Sequence, residues 1–569
     1  MKRVLAPLFV VALLAPACTS EPDEPDVPAP QETFEEFVDA WNERDAEGMA
    51  ALTRDGAGAA IERFFEQDFP DEADFEVSAV GVVSEKPDAG ATPLALEGTA
   101  SYRIEYTVGD SEPGRLLTGN LDMELTSGDW TVAWDESAMW PGPEGKRAEG
   151  LRISRKWARR APIRDRKGRT LAAGRAEARR YPFGATAGST VGHIGALTRK
   201  EAAERDGYFA GDLAGASGME LAFDERLGGT PGLRLELHDG RKTVATLART
   251  EPQVGKPVRT TLDMRLQQAA AAAFGGTTGG AIVLDPSTGD LLAVVSSAEL
   301  NPANYVGSKD VQPFNRALSG LYPPGSSLKV MTGAAALETG VVNLRTRLTG
   351  PAEYKGVRNF ESGEFGTLDF ATAVRFSVNT AFAQIAEDLG PRRLTRYADA
   401  FGFNRPPEMA LGAATSSFPR PEDEGDLMWG SIGQAQVLAT PLQMATVAAT
   451  IANGGRRMEP RISAAVRPSG ARAVSKRTAA TMGRLMENVV ESGTGVAARI
   501  PGVRVAGKTG TAEVDVAGKR MNHAWFVAFA PADDPKLAVA VVSELGGIGG
   551  QVAAPLARAI LQATLPLAP

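Results

Sequence analysis

Tyr322-Pro-Pro-Gly-Ser-Ser-Leu-Lys329 is the stretch on which the reading of this chain turns, together with the apolar run Val330-Met-Thr-Gly-Ala-Ala-Ala-Leu337 behind it. A Pro-Pro-Gly breaker before an apolar run predicts a loop that stops abruptly and a helix that starts at Ser326. Residues three apart share a helix face. The Ser326 hydroxyl and the Lys329 amine then meet at a helix N-terminus, whose partial positive charge favours developing anions. Pairing with an amine is one way to turn an ordinary serine into a nucleophile. Four residues alone read equally well as a capping Ser followed by a solvated Lys. The choice between the two readings depends on what lies downstream.

Two further short words follow in order. Phe376-Ser-Val-Asn379 places its serine 51 positions after Ser326, and Gly507-Lys-Thr-Gly-Thr511 places its lysine 131 positions after Ser377. Singly both are weak. Together, Ser-x-x-Lys, Ser-x-Asn and Lys-Thr-Gly form the signature of penicillin-binding proteins and serine β-lactamases. Tyr322-Pro-Pro-Gly before Ser326, Thr511-Ala-Glu513 after the lysine word, and His523-Ala-Trp-Phe-Val527 beyond it add specificity. From Thr260 onward the chain resembles a penicillin-binding transpeptidase domain, and its whole organisation resembles the monofunctional class B of that family. Ser327-Leu328 stands where Thr-Phe or Val-Phe is commoner, a difference of packing rather than chemistry.

The resemblance implies a task for each residue. Ser326 attacks a carbonyl and becomes acylated. Lys329, with its charge suppressed by burial and neighbouring cations, accepts the Ser326 proton. Ser377 relays that proton towards the leaving amine, and Asn379 holds Lys329 and the substrate amide. Lys508 supplies a cation for the substrate's terminal carboxylate, with Thr509 and Thr511 offering hydroxyls to the same group. Gly510 lets a substrate backbone pack against an edge strand. The backbone N–H groups of Ser326 and Thr511 form the oxyanion hole. No cofactor or metal is called for.

The implied reaction is D,D-transpeptidation of peptidoglycan stem peptides, with β-lactam antibiotics acylating the same serine. A D,D-carboxypeptidase or β-lactamase, deacylated by water, and a non-catalytic β-lactam-acylated scaffold or sensor stay open beside it. The space before the catalytic part is too small for a glycosyltransferase domain. A separate glycosyltransferase of the cell-wall machinery is therefore the implied partner. Trp429-Gly-Ser-Ile-Gly-Gln434 and Glu491-Ser-Gly-Thr-Gly495 resemble family loops that line the cleft.

Composition agrees with this class. The 569 residues are 43% hydrophobic and 23% charged, with a net charge of −9. That is globular composition, large enough for several domains, and the acidic balance argues against nucleic acid as a partner. Cys18 is the single cysteine, which excludes a disulfide framework, and three histidines make a multi-histidine metal site remote.

Lys2-Arg3, the apolar Val4–Leu14 and Ala15-Pro-Ala-Cys18 read as a secretory signal. Ala-Cys resembles a bacterial lipobox, with Cys18 as the lipidated N-terminus on the outer face of the cytoplasmic membrane. Ala-x-Ala also suits an ordinary signal peptidase that releases a secreted or periplasmic protein. Both readings stand.

The expected architecture is multi-domain α+β. Residues 1–18 are the signal and 19–31 an acidic, Pro-rich spacer. Residues 32–140 form a small α+β domain. There Thr33 and Glu36 make a capping-box pattern, Phe34, Phe37, Val38 and Trp41 recur at helical spacing, and Tyr102–Val108, Leu121–Leu125 and Trp130–Trp134 alternate as strands. This domain resembles the NTF2-like domain of methicillin-resistance penicillin-binding proteins. Residues 141–259 resemble the β-rich pedestal, or dimerisation, domain, through Arg160-Ala-Pro-Ile-Arg-Asp-Arg-Lys-Gly168. Residues 260–569 are the transpeptidase domain, an antiparallel sheet with helices.

Overall fold

A computed structural model describes residues 29–54, 57–84, 95–142, 148–297, 300–307 and 314–569. Cys18, the signal and most of the spacer lie outside them. Among the described residues no helix is long and apolar enough to cross a membrane.

The chain divides into two compact units. The first holds residues up to Lys156 together with Gly232–Glu251. Its helix α1 (Pro30–Glu43) buries Phe34, Phe37, Val38 and Trp41. The helix starts at Pro30, which suits the first helical position. Thr33 therefore sits inside the first turn, and the expected capping box there does not form. Four strands, β1 (Ala73–Ser84), β2 (Ala95–Val108), β3 (Leu117–Thr126) and β4 (Asp129–Val132), make an antiparallel sheet in sequence order. The alternating Tyr102, Ile104, Tyr106 and Val108 are its core face.

A second sheet of β5 (Gly150–Lys156), β6 (Gly232–Asp239) and β7 (Lys242–Arg249) runs in the order β7-β6-β5. The β6–β7 hairpin lies within the span expected to be the pedestal. Its Leu235, Leu237, Ala245 and Leu247 join the core of the first unit, which is why it belongs there.

The second unit holds Trp157–Pro231 and Pro252–Pro569. In its first part Arg160 is buried, ion-paired to Glu220 at 2.8 Å and Asp224 at 2.7 Å, and Arg179 reaches Glu220 at 2.7 Å. The arginine of the pedestal-like word is thus a paired internal charge.

The rest is built on one five-stranded sheet. Helix α2 (Met264–Phe274), capped by Asp263, leads into β8 (Gly279–Leu284) and β9 (Leu291–Ser296). The helices that follow include α3 (Lys329–Glu338), α4 (Phe370–Arg375), α5 (Asn379–Ala400), α6 (Pro441–Ala452) and α7 (Lys476–Ser492). Strands β10 (Ala506–Val516), β11 (Lys519–Ala530) and β12 (Leu537–Ser543) and helix α8 (Ala553–Thr564) close the chain. The order is β9-β8-β12-β11-β10, antiparallel throughout.

Both faces are apolar, as strands covered on both sides must be. Ala281, Val283, Phe526, Ala528, Val539 and Val541 face α2 and α8. Ile282, Leu284, Val527, Phe529, Ala538 and Ala540 face the core that includes α3 and α6. This three-layer arrangement leaves β10, which carries Lys508-Thr-Gly-Thr511, at the sheet edge beside the start of α3.

Candidate active site

The site forms where the start of α3, the start of α5 and the edge strand β10 converge. The apolar run Val330–Ala336 buries α3, and Lys329 at its first residue is drawn into the interior with it. The helix does not begin at Ser326. Gly325–Leu328 is a 3₁₀ turn and α3 starts at Lys329. In a 3₁₀ turn residues i and i+3 eclipse, so Ser326 and Lys329 still lie on one side.

The two adjacent serines are distinguished by their partners. The Ser327 hydroxyl is buried and donates to the Pro324 carbonyl at 2.6 Å. The Ser326 hydroxyl is half-buried and makes no hydrogen bond to a described residue. Of the two, only Ser327 has its hydroxyl committed to a described partner.

The turn fits tightly onto its surroundings. Gly325 has φ +54°, and a Cβ there would lie 2.8 Å from the Thr511 carbonyl oxygen. Gly510 carries the reciprocal constraint, since a Cβ would lie 2.7 Å from the Pro324 carbonyl oxygen and 3.1 Å from the Ser327 nitrogen. The space that Gly510 leaves on this side is filled by the 325–328 turn. The Trp525 indole, on the next strand, donates to the Pro323 carbonyl at 2.9 Å.

Ser377 has φ +61°, in the left-handed region, immediately before α5. A non-glycine residue there costs of order 1 kcal/mol and recurs at functional sites. The Lys329 amine donates to the Ser377 carbonyl at 2.7 Å and to Asn379 Oδ1 at 2.6 Å, and its third contact is Ser377 Oγ at 3.2 Å. Asn379 is oriented in turn by its Nδ2, which donates to the Arg358 carbonyl at 2.8 Å. Lys508, from β10, donates to the same Ser377 hydroxyl at 2.9 Å and to the Thr509 carbonyl at 3.0 Å. Ser377 Oγ is thus the junction between two lysine amines.

Both amines are fully buried. Burial, and then the nearby Lys508, hold Lys329 well below the usual lysine range. Burial brings Lys508 down to about 7. A neutral amine keeps a lone pair. At the longest of its three contacts, Lys329 can therefore exchange donor and acceptor roles with the Ser377 hydroxyl.

Thr509 and Thr511, two apart on a strand, share the face opposite Lys508. Thr509 Oγ1 lies 2.6 Å from Thr494 Oγ1, and Thr511 Oγ1 accepts from the Gly549 N–H at 3.1 Å. Thr494 comes from Glu491-Ser-Gly-Thr-Gly495, which was read as a loop lining the cleft. Its hydroxyl is a third member of the threonine group that the motif words alone do not reveal.

Known proteins are similar to this chain. The family model of the penicillin-binding protein transpeptidase domain matches residues 279–562, and that of the penicillin-binding protein dimerisation domain matches residues 172–260. The peptidoglycan D,D-transpeptidase PbpA of Mycolicibacterium smegmatis is 37% identical over 399 residues, 62% of this chain and 80% of that protein. The peptidoglycan D,D-transpeptidase MrdA of Acinetobacter baumannii is 32% identical over 433 residues, covering 66% of this chain but only 64% of its own length. The solved penicillin G acyl-enzyme complex of Mycobacterium tuberculosis penicillin-binding protein A is similar, with a TM-score of 0.59 and 32% identity. That match covers 72% of this chain and 99% of the other.

Proposed function

The chain belongs to the class B penicillin-binding transpeptidase family, and from that premise we propose that it cross-links peptidoglycan stem peptides as a serine D,D-transpeptidase. The observation that carries the proposal is the Lys329–Ser377–Lys508 chain of buried amines and hydroxyl beside the uncommitted Ser326.

In the acylation step Ser326 Oγ attacks the carbonyl of the penultimate D-Ala, and neutral Lys329 takes the Ser326 proton. The tetrahedral oxyanion rests on the Ser326 and Thr511 N–H groups, each such donor being worth about 2.7–4 kcal/mol. The C–N bond then breaks, and the leaving amine of the terminal D-Ala receives its proton through Ser377. The acceptor amine of a neighbouring stem reverses these events, giving up its proton as Ser326 is released. Thr509 and Thr511 offer hydroxyls to the donor's terminal carboxylate, and Lys508, on the other face of β10, supplies the positive charge that attracts it. Asn379 has one amide hydrogen left for the substrate, because Arg358 takes the other. A β-lactam follows the first half only, with its leaving nitrogen still tethered to the acyl group.

The peptidoglycan substrate puts the reaction outside the cytoplasmic membrane. Lipidation of Cys18 would tether the protein there, with residues 32–140, read as NTF2-like, as a stalk. A separate glycosyltransferase would supply the glycan strands.

Peptide mapping by mass spectrometry after exposure to penicillin G tests the acyl-enzyme. One equivalent is expected on the peptide carrying Ser326, and none on Ser326→Ala. An adduct on any other residue, or none on the wild type, rejects the assignment.

A further inference from the structure

Behind the nucleophile turn lies a polar cluster that takes no part in the acyl-transfer chain. Glu544 directly follows β12. Its Oε1 accepts from the Tyr322 phenol and, at 2.8 Å, from Arg316 Nε. Arg316 is anchored by Nη1 on the Ser297 carbonyl at 3.2 Å. The Glu544 backbone N–H donates to the Thr278 carbonyl at 2.8 Å. The carboxylate is therefore held from both sides.

Tyr322 is buried and stands four residues before Ser326. Its backbone exchanges two hydrogen bonds with Ala439, at 3.1 and 2.8 Å. Its ring meets His523 edge-on at 5.2 Å and Trp525 at 6.1 Å. His523 Nδ1 accepts the Leu545 N–H at 3.1 Å, which fixes that ring as well. The chain entering the nucleophile turn is thus clamped to β11 and to the end of β12. Strand β11 also pairs with β10 and fixes the position of Thr511 opposite Ala524.

We propose that Glu544 is a positioning residue for acyl transfer, acting through the Tyr322 phenol to hold the Ser326 turn against β10. The proposal rests on the reading of Ser326 as the nucleophile. Its consequence is that the two oxyanion donors, the Ser326 and Thr511 N–H groups, keep a fixed separation although they lie on different elements. A carboxylate suits the task. A phenol donating to a carboxylate makes one of the stronger hydrogen bonds, and Arg316 donates to the same oxygen.

The test uses the full chain and stopped-flow acylation by penicillin G, which separates the pre-acylation Kd from the acylation rate constant. Tyr322→Phe keeps the ring and removes only the hydroxyl, so it serves if Glu544→Ala does not fold. Each variant is expected to lower the acylation rate constant about tenfold or more, as a small misplacement of reacting groups does. The Kd should stay within about twofold, and the double variant should be no slower than the slower single, since residues in one network are not additive. The pH dependence of the acylation rate should not move. Unchanged rate constants, additive losses, or a loss seen only in the fraction of enzyme that reacts would overturn the proposal. Failure of the wild type to acylate at Ser326 would instead reject the nucleophile assignment on which it rests.

Discussion

Two lysines share one hydroxyl in this site, and their protons determine what the site can do. In the proposed mechanism Lys329 must be neutral to take the Ser326 proton, while Lys508 must be charged to attract a carboxylate. Burial lowers both, and the nearby Lys508 lowers Lys329 further. The rate of acylation by penicillin should therefore rise with pH as Lys329 deprotonates. It should fall again above about 7, where the free enzyme's Lys508 loses its charge. In Lys508→Arg the guanidinium stays charged across this range, so the falling limb should vanish even if the maximum is lower. A falling limb at the same pH in that variant would assign it to another group. At this scale the sequence was legible as far as residue type and order. It could not say that Asn379 divides its amide between Lys329 and Arg358, nor that Gly510 faces the nucleophile turn, because both depend on neighbours far away along the chain.

Elements matter here because they bring the reacting groups to one place. Strand β10 and the 325–328 turn fit so closely that Gly510→Ala must push one of them away, with backbone atoms at 2.7 and 3.1 Å from the new methyl. About a hundredfold loss of acylation rate is expected, measured with penicillin G, with little change in melting temperature. Retention of the full rate would show that the turn can yield. Farther off, Glu220 sits between Arg160 and Arg179, all three buried. Glu220→Ala leaves two internal guanidinium groups short of a partner. It should cost about 3–5 kcal/mol, read as a lower denaturant midpoint. A midpoint within error of the wild type would mean that water or backbone groups replace the carboxylate. Strands such as β2 and β3 were readable because alternation acts locally. The Tyr322–Glu544 contact was not, since it joins positions 222 residues apart and no local pattern marks either end. The start of α3 was misread for a related reason. Pro-Pro-Gly announces the end of a loop, but not that the first turn is 3₁₀.

Across the whole molecule the two compact units interleave along the chain. The β6–β7 hairpin returns to the first unit after the second has begun, driven by Leu235, Leu237 and Leu247. A boundary drawn by composition cannot show such a return. The order of the three catalytic words, by contrast, was legible because each sits on a different element and each needs a particular side chain. In the proposed reaction the Ser326 acyl group is handed to an amine. The most direct measurement incubates the full chain with a stem pentapeptide ending in D-Ala-D-Ala and an amine acceptor, and weighs the products by mass spectrometry. The account predicts a cross-linked product that has lost one D-Ala, formed by the wild type and absent with Ser326→Ala. Hydrolysed tetrapeptide alone in the presence of excess acceptor, or cross-linking that survives in Ser326→Ala, would contradict it.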